Sequence, residues 1–140
     1  MPGEASVFSD VTIILIQAKS GEGKTTLANY LSKKKEHIIS MDEMSFRTFN
    51  KYYDIINKVM IPNTIINSQI GLIIDRVSNN TVIVNSILEN TMNEISRLIE
   101  KNNDMKCIFI EGYTLLKSNI ITELINLIKV KKIRYWVCHK

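Results

Sequence analysis

Apolar positions fall into two rhythms along the chain. The run Val11-Thr12-Ile13-Ile14-Leu15-Ile16 is short, continuous and rich in β-branched residues, which predicts a buried strand over 11–17. Similar runs predict a short second strand at 37–41 that ends at Asp42 and Glu43, a third at 105–110 that runs into Glu111-Gly112, and a fourth at 132–138. Between them the spacing changes to that of amphipathic helices. Leu27, Ala28 and Leu31 predict a helix over 24–34; Phe46, Phe49, Ile56 and Val59 predict one or two helices within 43–60, broken by Pro62. Ile66, Ile70, Ile73, Ile74 and Val77 share a face in 64–77; Val84, Ile87, Leu88, Ile95, Leu98 and Ile99 share one in 81–101. Ile120, Ile121, Leu124, Ile125 and Ile128 predict a last helix over 118–129. Asn79-Asn80 and Asn102-Asn103-Asp104 mark turns, and residues 1–10 form an aperiodic leader.

Strands separated by helices imply an α/β fold, with a parallel sheet carrying helices on both faces. The 140 residues suit one domain, at 11–140, large enough to bury about two-thirds of its unfolded surface. Hydrophobic residues at 45% and charged residues at 23% belong to a globular chain rather than a disordered one. The longest apolar runs are too short to span a bilayer. The net charge of +4 is mild. Lys33 to Lys35 and Lys129 to Lys132 sit near predicted helix ends, where cations complement the dipole, without the interleaved aromatics of a nucleic-acid platform. Cys107 and Cys138 lie in strand-like runs without metal-ligand spacing, and read as buried, reduced thiols of a cytoplasmic protein.

The chemistry concentrates between the first strand and the first helix. There stands Ala18-Lys19-Ser20-Gly21-Glu22-Gly23-Lys24-Thr25-Thr26, matching the phosphate-loop pattern G-x-x-x-x-G-K-[ST] except that Ala18 replaces the first glycine. Gly21 and Gly23 permit backbone angles that turn successive N–H groups, from Ser20 through Thr26, toward one anion. The N-terminus of the following helix adds partial positive charge. Lys24 would reach the β- and γ-phosphates of ATP, and the Thr25 hydroxyl would meet Mg²⁺. The plainer alternative is a glycine-bearing turn that binds nothing. Ligands of parallel sheets bind at the carboxyl ends of the strands, where Asp42 and Glu111 would join the loop. Glu111 would hold Mg²⁺ directly or through water, or else hydrogen-bond a neighbouring helix. Asp42 would act as general base toward an acceptor hydroxyl, or Asp42 or Glu43 would cap the next helix. Arg47 would clamp a phosphate or face solvent, and Tyr52 and Tyr53 would stack on a base or fill the core.

Three segments carry a family resemblance: the phosphate loop, Ile38-Ile39-Ser40-Met41-Asp42-Glu43-Met44, and Ile108-Phe109-Ile110-Glu111-Gly112-Tyr113. Together they resemble the uridine kinase and nicotinamide riboside kinase group of P-loop kinases. The resemblance implies a P-loop NTPase fold of three layers, α/β/α, with strand order 2-3-1-4. It implies transfer of the γ-phosphoryl of ATP, with Mg²⁺, to a hydroxyl of a nucleoside or ribosylated small molecule. Lys24 and Thr25 would handle ATP and metal, Asp42 the acceptor hydroxyl, and Glu111 the metal or ribose. That group continues past the fourth strand into an arginine-bearing lid and a fifth strand, so a chain ending at Lys140 is expected to be truncated relative to it. It would then transfer phosphate weakly, act as a nucleotide-binding module, or complete its site with a partner chain or a second copy. The loop also resembles, less closely, that of partitioning-type ATPases, with Lys19 as the signature lysine acting across a dimer.

Overall fold

The structure, a computed structural model, describes residues 10–17, 38–51, 70–101 and 106–139. The phosphate-loop stretch 18–26, the helix expected at 24–34, Tyr52, Tyr53 and the start of the helix expected at 64–77 lie outside the described residues.

Four strands form one parallel sheet: β1 (Thr12–Gln17), β2 (Ile38–Ser40), β3 (Cys107–Glu111) and β4 (Arg134–His139), in the order β2-β3-β1-β4. The order is the expected one. Parallel neighbours require long crossovers, and these hold the helices. The β2-to-β3 connection carries α1 (Met41–Lys51), α2 (Ile70–Val77) and α3 (Thr81–Lys101). The β3-to-β4 connection carries a single 3₁₀ turn (Tyr113–Leu116) and then α4 (Ser118–Val130).

Register places the strand ends level. Ile16 lies beside Glu111 on one side and Cys138 on the other, and Ser40 lies beside Glu111. Alternation along the strands then sorts the two faces. Ile13, Leu15, Ile39, Ile108 and Ile110 join the main core, to which all four described helices contribute. Ile16 and Phe109, with Ile14, Ile38, Cys107 and Cys138 against them, form a smaller cluster on the other face. The two cysteines flank opposite ends of β1, beside Thr12 and Ile16; both are free thiols, half-buried rather than buried as expected.

The helix boundaries have local causes. Ser40, not Asp42 or Glu43, caps α1: its hydroxyl accepts the N–H of Glu43 at 3.2 Å. Met41, expected in the strand, is therefore already helical and fully buried. Asn80 caps α3 by accepting the N–H of Ile83 at 3.1 Å. Lys132 adopts φ 59° beyond α4, and the N–H of Ile133 returns to the carbonyl of Ile128 at 3.2 Å. This helix ending takes up Lys131 and Lys132 and delays β4 to Arg134.

Leu15 sits in an inner strand with no solvent exposure. Leu15→Ala is expected to cost about 2–5 kcal/mol. Urea unfolding checks it, and a loss under about 1 kcal/mol would contradict the packing described.

Candidate functional site

Because all strands are parallel, their carboxyl ends share one edge of the sheet. β1 reaches that edge at Gln17, β2 at Ser40 and β3 at Glu111. Glu111 is a buried carboxylate, 6% exposed, at the last position of β3 and already engaged in an interaction within the chain. No buried side-chain nitrogen or oxygen among the described residues lacks a hydrogen-bond partner.

Asp42, one residue into α1, faces the turn that follows β3. Its Oδ2 accepts the N–H of Tyr113 at 3.1 Å. Its Oδ1 accepts the N–H of Thr114 at 3.1 Å and the Thr114 hydroxyl at 3.0 Å. These two amides open the 3₁₀ turn and need an acceptor. Gly112 stands at the capping position without a side chain to offer one, so Asp42 caps this turn from 71 residues away. The dependence is mutual. A β-carbon on Gly112 would lie 3.0 Å from both the backbone nitrogen and Oδ1 of Asp42, and the φ of 137° at Gly112 is one that L-residues rarely adopt.

Beneath the carboxylate lies a fully buried pair of hydroxyls. Ser45 Oγ is 3.0 Å from Thr114 Oγ1 and 2.8 Å from the carbonyl oxygen of Met41. Thr114 has one proton and gives it to Asp42, so Ser45 is the donor to Thr114 and divides its own proton between two acceptors. Farther along, Thr48 donates to the carbonyl of Met44 and accepts from Asn90 of α3, at 3.0 and 2.9 Å. Thr91 of α3 donates to the Met41 sulfur at 3.0 Å. The face of α1 under the site is therefore partly polar and fully paired.

Two more ties hold the same turn. Gln17, at the end of β1, donates through Nε2 to the Leu115 carbonyl at 2.9 Å. On the outer side, the Tyr113 hydroxyl donates to Asp75 of α2 at 2.9 Å, and Lys117 pairs with Asp75. The Lys117 hydrogen bond holds the Asp75 carboxyl below its ordinary value, with the Tyr113 hydroxyl assisting and partial burial opposing. The same bonds to Asp75 raise the Lys117 ammonium and the Tyr113 hydroxyl.

The sequence-predicted residues thus divide. Asp42 and Glu111 come together at one sheet edge, joined through the Gly112 turn. Arg47 does not approach that turn's bonds: it pairs with Glu43 at 2.9 Å on the solvent side of α1. Ser20, Gly21, Glu22, Gly23, Lys24, Thr25 and Thr26 lie outside the described residues. Among the described residues no three His, Cys, Asp or Glu side chains converge as a metal site, and no helix is long and apolar enough to cross a membrane. Sequence reasoning missed Ser45, Thr114, Gln17 and the 3₁₀ turn; the one signal pointing to them was Gly112, directly after a buried strand.

Comparison with protein-family models, with curated proteins and with solved structures gives no significant match.

Asp42→Ala strands two amides and a hydroxyl, and Gly112→Ala forces a β-carbon against Asp42. Each is expected to destabilise the chain by about 1–3 kcal/mol in chemical unfolding. Two losses below about 0.5 kcal/mol would contradict the mutual dependence. The exposed Asp75 cluster contributes less, about 0.2–1 kcal/mol at neutral pH. Its carboxyl is depressed in the folded state. The contribution is therefore present above the unfolded value, about 3.9, and is lost as pH falls through the folded value. The stability difference between wild type and Asp75→Asn should vanish in acid; a difference that grows there would contradict the assignment.

Proposed function

We propose that the chain is an ATP-dependent phosphotransferase of the P-loop NTPase type, moving the γ-phosphoryl group to a hydroxyl of a nucleoside or another ribosylated small molecule. One observation carries the reading. The stretch that ends in Gly23-Lys24-Thr25 begins directly after β1, and β1 lies beside β3, whose buried last residue Glu111 is level with Ile16. A phosphate-loop sequence leaving an inner strand of a parallel sheet, next to a strand ending in an acid, is the layout phosphoryl transfer uses.

In this reading the backbone N–H groups from Ser20 to Thr26 cradle the phosphates, and Lys24 pairs with the β- and γ-oxygens. Mg²⁺ in such sites takes one or two carboxylates together with phosphate oxygens and water. Glu111, at the carboxyl edge, fits that donor set, with the Thr25 hydroxyl as its companion. The ion, when bound, supplies neutralisation of charge on the transferred group. Asp42 would serve the acceptor hydroxyl through what remains of its carboxylate. Of roughly four acceptor directions on a carboxylate, the turn takes two on Oδ1 and one on Oδ2. A cytoplasmic location accords with the two free thiols.

That engagement of Asp42 favours a second reading, a nucleotide-binding module that transfers nothing and works through a partner chain. Labelled ATP separates the two. Mg-ATP binding should weaken about 10–100-fold in Lys24→Ala. Phosphorylation of a nucleoside or riboside should disappear in Glu111→Gln while ATP binding persists. Binding without turnover of any such acceptor would reject the kinase and leave the module; no binding of Mg-ATP would reject both.

A further inference from the structure

Away from the sheet edge, α3 and α4 run side by side and leave a groove of about 380 Å³ between them. Leu88 and Met92 of α3 and Leu127 and Val130 of α4 supply its apolar surface. Leu127 is 37% exposed and Val130 75%, among the few large apolar side chains open to solvent in the described residues. Such an apolar strip is a docking surface when something of matching chemistry covers it.

Three charged side chains line the groove, Glu89 of α3 and Glu123 and Lys131 of α4, and the two on α4 indicate what matches. Glu123, Leu127 and Lys131 follow one another at four-residue steps along one exposed stripe of α4, and Lys131 keeps helical backbone angles just past the helix end. Glu123 and Lys131 are two turns apart, about 12 Å, and cannot pair with each other. Neither has an ion-pair partner among the described residues. The stripe thus reads acid, apolar, base, and is its own complement when reversed. Two copies of α4 packed antiparallel across a two-fold axis at Leu127 set Lys131 of each opposite Glu123 of the other. Val130, three residues from the axis, then meets the apolar surface of the opposing groove. A closed two-fold contact of this kind repeats each interaction twice.

We propose that the α3–α4 groove is a self-association surface, through which two copies of this chain form an isologous dimer centred on Leu127. The proposal is independent of the phosphotransferase reading. It leaves the carboxyl edge of the sheet, with Asp42 and Glu111, outside the contact.

Sedimentation velocity of the full chain over a wide concentration range tests it. A reversible monomer–dimer equilibrium is expected. Glu123→Lys and Lys131→Glu alone should each weaken it by about tenfold, the loss of two surface ion pairs. The double variant Glu123→Lys with Lys131→Glu restores both pairs in reverse and should return the equilibrium to within about threefold of wild type. Val130→Glu should leave a monomer. All three positions are solvent-exposed, so circular dichroism and unfolding should match wild type. A chain monomeric at every concentration, a dimer indifferent to the charge reversals, or a double variant no tighter than the single ones would overturn the proposal.

Discussion

One carboxylate ties the described parts of the molecule together. Asp42 leaves the N-terminus of α1 and receives two amides and a hydroxyl from the turn that follows β3. The groups so joined are 71 and 72 residues apart in sequence. Without that acceptor the first amides of a half-buried 3₁₀ turn would lose their partner at a part-buried position, at a cost of about 1–3 kcal/mol. Gly112 is the other half of the arrangement, because only a residue without a β-carbon lets the carboxylate approach its backbone. The turn so held is also tied to β1 through Gln17 and to α2 through Asp75. Glu111, immediately before it, is thereby fixed at the end of β3.

This arrangement changes what Asp42 can do. A general base must have a lone pair free for the proton it takes, and two amides and a hydroxyl of the turn already occupy three of this carboxylate's roughly four acceptor directions. Its main work is to hold one end of the site in shape, and any contact with an acceptor would use the remaining direction on Oδ2. Glu111, buried at the sheet edge, is the carboxylate to which the proposed function assigns the metal. The two acids that look alike in the sequence, each at the end of an apolar run, have therefore been given different environments. One lies at a helix start against a turn, and the other in the final rung of a buried strand.

Much of the scaffold was legible from apolar spacing. Continuous apolar runs revealed the inner strands β1 and β3, since strands covered on both faces need no alternation; the shorter runs of the edge strands β2 and β4 were read in the same way, although Trp136 of β4 is 69% exposed. The separating helices implied parallel pairing, and the sheet has the order 2-3-1-4 that was expected of it. The bounds of α3 were read correctly because Asn80 caps it and its buried stripe runs from Ile83 to Ile99, with Thr91 the one polar residue in it. The start of α1 was misread. Met41 is apolar and continues the run from Ile38, so it reads as strand, while the deciding group is the Ser40 hydroxyl. Ser45, Thr48 and Thr91 were invisible to a hydrophobic pattern although they lie inside it. Each returns a hydrogen bond to the carbonyl four residues earlier and so can be buried among apolar neighbours. The site was legible only in its local parts. A phosphate-loop motif is contiguous, and an acid after a buried strand is a local pattern. A cap supplied across 71 residues leaves no local signature beyond one glycine.

Amide hydrogen exchange resolved by NMR tests the central claim most directly. The N–H groups of Tyr113 and Thr114 should exchange slowly in the wild-type protein and lose most of that protection in Asp42→Ala, while the amides of β1 keep theirs. Equal protection of Tyr113 and Thr114 in the two proteins, or loss of protection spread evenly over the whole sheet, would contradict the account.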